Sequence, residues 1–452
     1  MKDLSNSFAA GATIFLCVLG TTAAAQVGTE APSQNPLAPS PIVVQPAGQQ
    51  PPPAPPGSRA DGRELTLTGS MFGGYDTNVF EGNTAAPGVR TGAPQMGGNF
   101  SVHFGAKSER VAFFSDAAAN STHFRTLQPV TGTSVTGSAS VRAAVTRKTL
   151  MNLSVSGGYV PQFQFSLLPP DPIAAPVIPT LDYAIVGIDA ITYRTGIDVT
   201  HNLSARSALN GSYSRSSYEY LDRDYELNYQ TFGGGYSRGL TRYAALRLGY
   251  LEQRADYPLL VRGELRPLRN RTLDVGLDYS RPLSRTRRTT FGFGTGSTGV
   301  DNGEEKFYNV AGHASLTHQI GRTWNISTTY ARGLGLVGGF AEPFFADSVA
   351  LNLRGNTSPR VRLTGSAGYA NGDLGLGSRA NSFSSYQAAA DIEVALSQRL
   401  AVFGHYFYYN YLFDKNISLP DGLARGLDRH GVRAGLNLRI PILEERNPRV
   451  TR

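Results

Sequence analysis

The run YQAAADIEVAL (386–396) decides how the rest of the chain is read. Tyr386, Ala388, Ala390, Ile392, Val394 and Leu396 share one parity, while Gln387, Asp391 and Glu393 share the other. Successive side chains leave a strand on opposite sides, so this alternation builds one apolar face and one charged face. TLDVGLDYS (272–280) repeats the pattern, with Leu273, Val275, Leu277 and Tyr279 against Asp274 and Asp278. So do ITYRTGIDVT (191–200), with Arg194 and Asp198 on the polar parity, and HGVRAGLNLRI (430–440), with Arg433, Asn437 and Arg439 there. No helical period appears from 63 to 443. The runs last roughly 10–14 residues, too long for an ordinary sandwich and right for a tilted strand crossing a bilayer.

Short turns with Ser, Gly or Thr beside Arg introduce these runs, and each run reaches a Tyr. They include SARSALNGSY (204–213), LTRYAALRLGY (240–250), IGRTWNISTTY (320–330), SPRVRLTGSAGY (358–369) and LSQRLAVFGHYFYY (396–409). From Arg206 on, the turn arginines recur every 36–43 residues, through Arg242, Arg285, Arg322, Arg360 and Arg399. One period holds a strand up, a loop and a strand down, which is a hairpin rather than a four-stranded propeller blade. Counting gives about 18 strands, even in number as bacterial barrels require. Up-strands start near 64, 111, 150, 207, 243, 288, 324, 361 and 401; down-strands start near 98, 133, 188, 225, 271, 307, 346, 385 and 429. The expected fold is all-β, a transmembrane antiparallel up-and-down barrel over 63–443. Both termini are periplasmic, and the longest outer loop is 161–187. Eight residues of tilted strand climb on the order of 20 Å, close to the apolar band of such a barrel. The candidate outer aromatic girdle is therefore Tyr75, Tyr159, Tyr213, Tyr250, Tyr279, Tyr330, Tyr369 and Tyr386.

The flanks have other compositions. Residues 1–25 read as a secretory signal: Lys2, an apolar core, then Ala23 to Ala25 before Gln26. Residues 26–62 are Pro-rich with little to bury, and predict an extended periplasmic tether. A polar tail, 444–452, ends the chain. The one cysteine, Cys17, lies in the signal, which excludes a disulfide scaffold and cysteine–metal sites from the remainder. The net charge of +8 comes almost wholly from singly scattered Arg, without the patch that nucleic acid requires. The partners expected are outer-membrane lipids and lipopolysaccharide, the outer-membrane assembly machinery and, as cargo, polysaccharide.

The signal, the Pro-rich lead, the first strand ending YDTNVF (75–80) and the repeated Leu-Ser-x-Arg turns together resemble the beta-barrel porin 2 family. That resemblance implies an outer-membrane protein of Gram-negative bacteria, in some members encoded beside exopolysaccharide genes, with no catalytic residues to carry over. Thr77 stands where the family commonly has a second Asp, and the last strand ends RIPIL (439–443) instead of in a terminal aromatic residue.

The chemistry on offer is sparse. Gly235-Tyr236-Ser237-Arg238-Gly239 matches G-x-S-x-G, but it closes a strand with no helix after it, so a nucleophile elbow is not expected. The seven histidines are dispersed and predict no metal site or cofactor; His313 and His318, five apart, point to opposite faces. Asp76 and Asn78 fit a turn start better than a calcium loop, which needs more oxygens. The polar parity carries Arg194, Asp198, Arg247, Asp274, Asp278, Arg354, Arg362, Asp391, Glu393, Arg433 and Arg439 as candidate pore lining. Arg247 is placed to pair with Asp274 or Asp278. The function expected is a porin-like channel for small solutes or saccharides, linked to exopolysaccharide export. A non-conducting structural barrel and an outer-membrane lipid hydrolase are the alternatives.

Overall fold

Lipid offers no hydrogen-bond partner to a backbone group, so a sheet that faces it has to close on itself. The computed structural model shows that closure. It describes residues 62–78, 92–125, 130–160, 190–220, 225–256, 260–261, 264–265, 268–283, 288–301, 306–335, 344–374, 381–417 and 425–444. The expected signal, most of the Pro-rich tether, the tail beyond 444 and the loop 161–187 lie outside these residues.

The first half holds β1 Gly62–Asp76, β2 Ala93–Lys107, β3 Val111–Phe124, β4 Val130–Ala144, β5 Thr149–Val160, β6 Ala190–Ser204, β7 Ser207–Tyr220, β8 Tyr225–Gly239 and β9 Ala244–Asp256. A small hairpin of two-residue strands follows, β10 Leu260–Val261 and β11 Glu264–Leu265, apart from the main sheet. Then come β12 Leu268–Pro282, β13 Thr289–Asp301, β14 Lys306–Ile320, β15 Trp324–Gly335 and β16 Phe344–Ser358. The last four are β17 Val361–Leu374, β18 Asn381–Ala395, β19 Leu400–Phe413 and β20 Gly426–Glu444. Eighteen of these form one antiparallel sheet, each long strand pairing with its neighbours in sequence. The ring shuts where β1 pairs with β20 as well as β2. The first long loop is shorter than the sequence predicts, because β2 begins at Ala93; its Gly-rich start hides the alternation.

The repeated turn residues have a local reason. In five short turns a hydroxyl accepts the backbone N–H two residues on: Thr146 from Lys148, Ser204 from Arg206, Thr241 from Tyr243, Ser358 from Arg360 and Ser397 from Arg399. Such side-chain turns tie the backbone locally and reverse the chain within a few residues. The turn IGRT reverses differently, with Gly321 at φ 63°.

Parity then separates two environments. Leu248, Leu273, Val275, Val432, Leu436 and Leu438 point outward and are exposed. An apolar belt of this extent on a closed barrel is a lipid surface. With its even strand count and short turns at one end, the chain is an outer-membrane β-barrel. Aromatic rings top the belt in register: Tyr330 faces Val349, Val349 faces Tyr369 and Tyr369 faces Tyr386, whose rings lie 4.7 Å apart. Tyr75, Tyr159, Tyr213 and Tyr250 also stand on the outward parity. Tyr279 corrects the expectation. It lies late in the returning strand, opposite Ala244 and Phe293, so it belongs to the short-turn rim and not the outer girdle.

Candidate functional site

The inward parity of β19 is the most unusual part of the wall. Its sequence, LAVFGHYFYYNYLF, turns His405, Phe407, Tyr409, Tyr411 and Phe413 into the lumen and Val402, Tyr406 and Leu412 toward lipid. Phe407, Tyr409, Tyr411 and Phe413 are each only 3% exposed. Their rings pack edge-on, Tyr409 to Tyr411 at 5.7 Å and Tyr411 to Phe413 at 5.4 Å, and Phe383 of β18 lies 6.3 Å from Phe413. Glycines opposite make room for rings to lie sideways. A Cβ on Gly431 would collide with Phe407, and one on Gly97 would come within 2.6 Å of Phe72.

Buried charge threads this aromatic wall. Arg429 of β20 donates through Nε to both oxygens of Asp76 at 3.0 Å and through Nη2 to Oδ2 at 2.6 Å. Both side chains are essentially inaccessible, at 1% and 0% exposure. The Arg429 guanidinium sits 5.7 Å over Phe407. Arg433, four residues further along β20 on the same face, lies between Phe72 at 5.1 Å and Phe407 at 5.5 Å. Gly74 lets it cross β1, since a Cβ there would press on Arg433 Cγ at 3.1 Å. The register continues this row from Arg433 to His405 and then to Asp391, where His405 Nδ1 bonds Asp391 Oδ1 at 2.5 Å.

A second cluster forms on β9, β12 and β14. Arg247 donates to Asp274 at 2.5 Å and to Asp278 at 2.7 Å, the pairing expected from parity. Gly294 and Gly296 of β13 leave the space that Asp278, His313 and Asp274 fill. Glycine at these inward positions of β13 accommodates the neighbours' side chains. Two weaker pairs lie nearer the short-turn end, Arg362 with Glu393 at 3.5 Å and Arg439 with Glu64 at 3.8 Å. Arg194, Asp198 and Arg354 face inward but stand outside these clusters, Arg194 opposite Ser156 and Ser216, Asp198 opposite Asn152 and Ser212, and Arg354 opposite Thr364.

The wall across the lumen differs. Inward positions on β4–β8 are mostly small: Ser138, Ser140, Ser156, Gly196, Ser212, Ser214, Gly233 and Gly235. Most are only half-buried. Ser237 of the G-x-S-x-G match stays within β8, opposite Ala208 and Arg247, so no elbow forms there. No group of three metal-ligating side chains occurs among the described residues. Sequence reasoning read Asp76 as a turn start, and Asn78 N does donate to Asp76 Oδ1 at 3.1 Å, but it missed the pairing of Asp76 with Arg429 and the ring series of β19. Their signal was a first-strand carboxylate and a last-strand Arg, both at the outer ends of strands that meet at the seam.

No family model matches the chain, and no curated protein matches it. The resemblance to the beta-barrel porin 2 family therefore stays a resemblance. Solved structures similar to the chain include OccAB3 of Acinetobacter baumannii, at 12% identity over 84% of this chain and 99% of that one, TM-score 0.42. OpdQ of Pseudomonas aeruginosa is 12% identical over 84% and 98%, TM-score 0.45. OprD of Pseudomonas aeruginosa is 12% identical over 84% and 96%, TM-score 0.41. At that distance the likeness is one of barrel form, and it transfers no residue and no substrate.

Proposed function

We propose that the chain is a water-filled channel for small polar solutes, with its conducting path along the wall of β4–β8. The observation that supports this is the asymmetry of the inward parity. One wall, centred on β19 and β20, carries buried bulk in Phe407, Tyr409, Tyr411, Phe413, Arg429 and Arg433, whereas the wall of β4–β8 is lined mostly by small polar residues. Eighteen strands give a backbone ring about 35 Å across, wide enough for an aqueous path beside one thick wall. Arg142, Arg194 and Asp198 put charge of both signs along that path and set a weak selectivity. A saccharide cargo fits less well, because the rings that would stack on sugar, Phe407 to Phe413, are buried.

Planar-bilayer recording of the purified barrel tests the proposal. Stepwise channel openings are expected, and Ser212→Trp with Gly233→Trp should cut the unit conductance by about half, since bulk in a narrow aqueous path blocks ions directly. A properly folded barrel with no openings would sink the channel reading.

A further inference from the structure

We infer that the outward face of β7–β12 holds a docking site for the phosphorylated headgroup of lipid A, independently of whether the lumen conducts. Arg215, Arg254 and Arg271 point outward and are exposed there. The register brings them together. Arg271 stands directly opposite Glu252 on β9, and Arg254 follows Glu252 on the same face. Arg215 and Arg254 both flank Gln230 of β8. Strands lie about 4.8 Å apart, so by register Arg254 stands within roughly 10 Å of Arg215 on one side and of Arg271 on the other, and the row of three spans about 16 Å.

Their height suits a headgroup. Leu273, Val275, Leu277 and Tyr279 lie below Arg271 on the same face, the apolar band of that strand. Arg271 is a climb of about 20 Å above Tyr279, at the outer limit of the hydrocarbon. The long-loop end faces the leaflet where lipopolysaccharide resides, so the acidic groups met at this level are lipid A phosphates. Tyr250 and Tyr213 mark the same boundary.

Charge complementarity names the occupant. Glu252 accepts from Arg254 Nε at 2.8 Å and from the Tyr250 hydroxyl at 2.9 Å. That one carboxylate faces both Arg254 and Arg271, so cations outnumber it along this row of three arginines. Arg254 is held over the Phe232 ring at 5.5 Å, which fixes its guanidinium at the rim. Planar guanidiniums take phosphate oxygens in pairs, and basic groups at a membrane surface draw anionic lipid. The β15–β16 sector and the seam are not built this way. Arg332 is matched by Asp347 at 2.9 Å, and the outward groups at the seam are Asp428 and His430.

Native mass spectrometry of the full barrel in detergent, titrated with bisphosphorylated lipid A, tests the site. The wild-type chain should retain the lipid, and Arg215→Gln with Arg254→Gln and Arg271→Gln should weaken retention at least tenfold. Arg332→Gln should leave it unchanged. Lipid A stripped of both phosphates should bind the wild-type chain at least tenfold less, an arm that needs no variant to fold. Heat-modifiable migration verifies that the triple variant is a barrel. Equal retention by the folded triple variant would overturn the inference, as would equal binding of the dephosphorylated lipid or of phosphatidylglycerol.

Discussion

Arg429→Ala is expected to destabilise the barrel by about 3–5 kcal/mol, because it leaves Asp76 buried with no countercharge. The pair joins the first and last strands across 353 residues of sequence, at the outer end of the seam. Neighbouring bonds join the same two strands: Thr77 N donates to the His430 carbonyl at 2.9 Å, and His430 N donates to Thr77 Oγ1 at 2.8 Å. Asn78 Nδ2 reaches the Asp428 carbonyl at 3.3 Å. The chain YDTN is thus a latch on the closing strand pair. The measurement is the urea concentration at which the heat-modifiable folded band is lost. Arg429→Ala should lower it markedly, while Asp76→Leu with Arg429→Met should restore most of the loss, since an apolar pair carries no desolvated charge. A wild-type midpoint for Arg429→Ala would show that the pair is not buried as described.

Leu436→Arg is the second large effect. Leu436 lies midway along β20 on the outward parity, beside Met71 of β1 and Val402 of β19. A cation there meets the bilayer midplane and costs about 2–4 kcal/mol. Asn437, the next residue, faces the lumen, where its amide donates to Glu393 at 3.2 Å. Asn437→Arg places a cation beside a carboxylate and water, and is expected to change stability by less than about 1 kcal/mol. Urea unfolding of both variants in the same lipid separates them. Equal losses would mean that the two parities do not face different solvents.

The strand plan was legible because the eighteen barrel strands are long, most of them alternate, and five of them start after a turn whose Ser or Thr hydroxyl ties the backbone. The pairing of Arg247 with Asp274 and Asp278 was legible for a related reason: opposite charges on one parity of successive long strands have few other partners. The latch was not. Asp76 and Arg429 are distant in sequence, and only closure puts β1 against β20 in the register that joins them. The thick wall was hidden because YFYYNYLF carries rings on both parities, so alternation does not say which are buried. Tyr279 was misplaced because β12 begins at Leu268, which moves the tyrosine to the far end of its strand. The bulge where β20 skips a residue between Leu443 and Pro441 likewise follows from pairing, not from local pattern.

The central claim is that the polar parity lines water and the apolar parity faces lipid around one closed ring. Single cysteines at 436, 437, 438 and 439, in a Cys17→Ser background, test it during bilayer recording. A charged methanethiosulfonate reagent should change the current at Asn437→Cys and Arg439→Cys and leave Leu436→Cys and Leu438→Cys unaffected. Modification without that alternation, at all four positions or at the leucines alone, would contradict it.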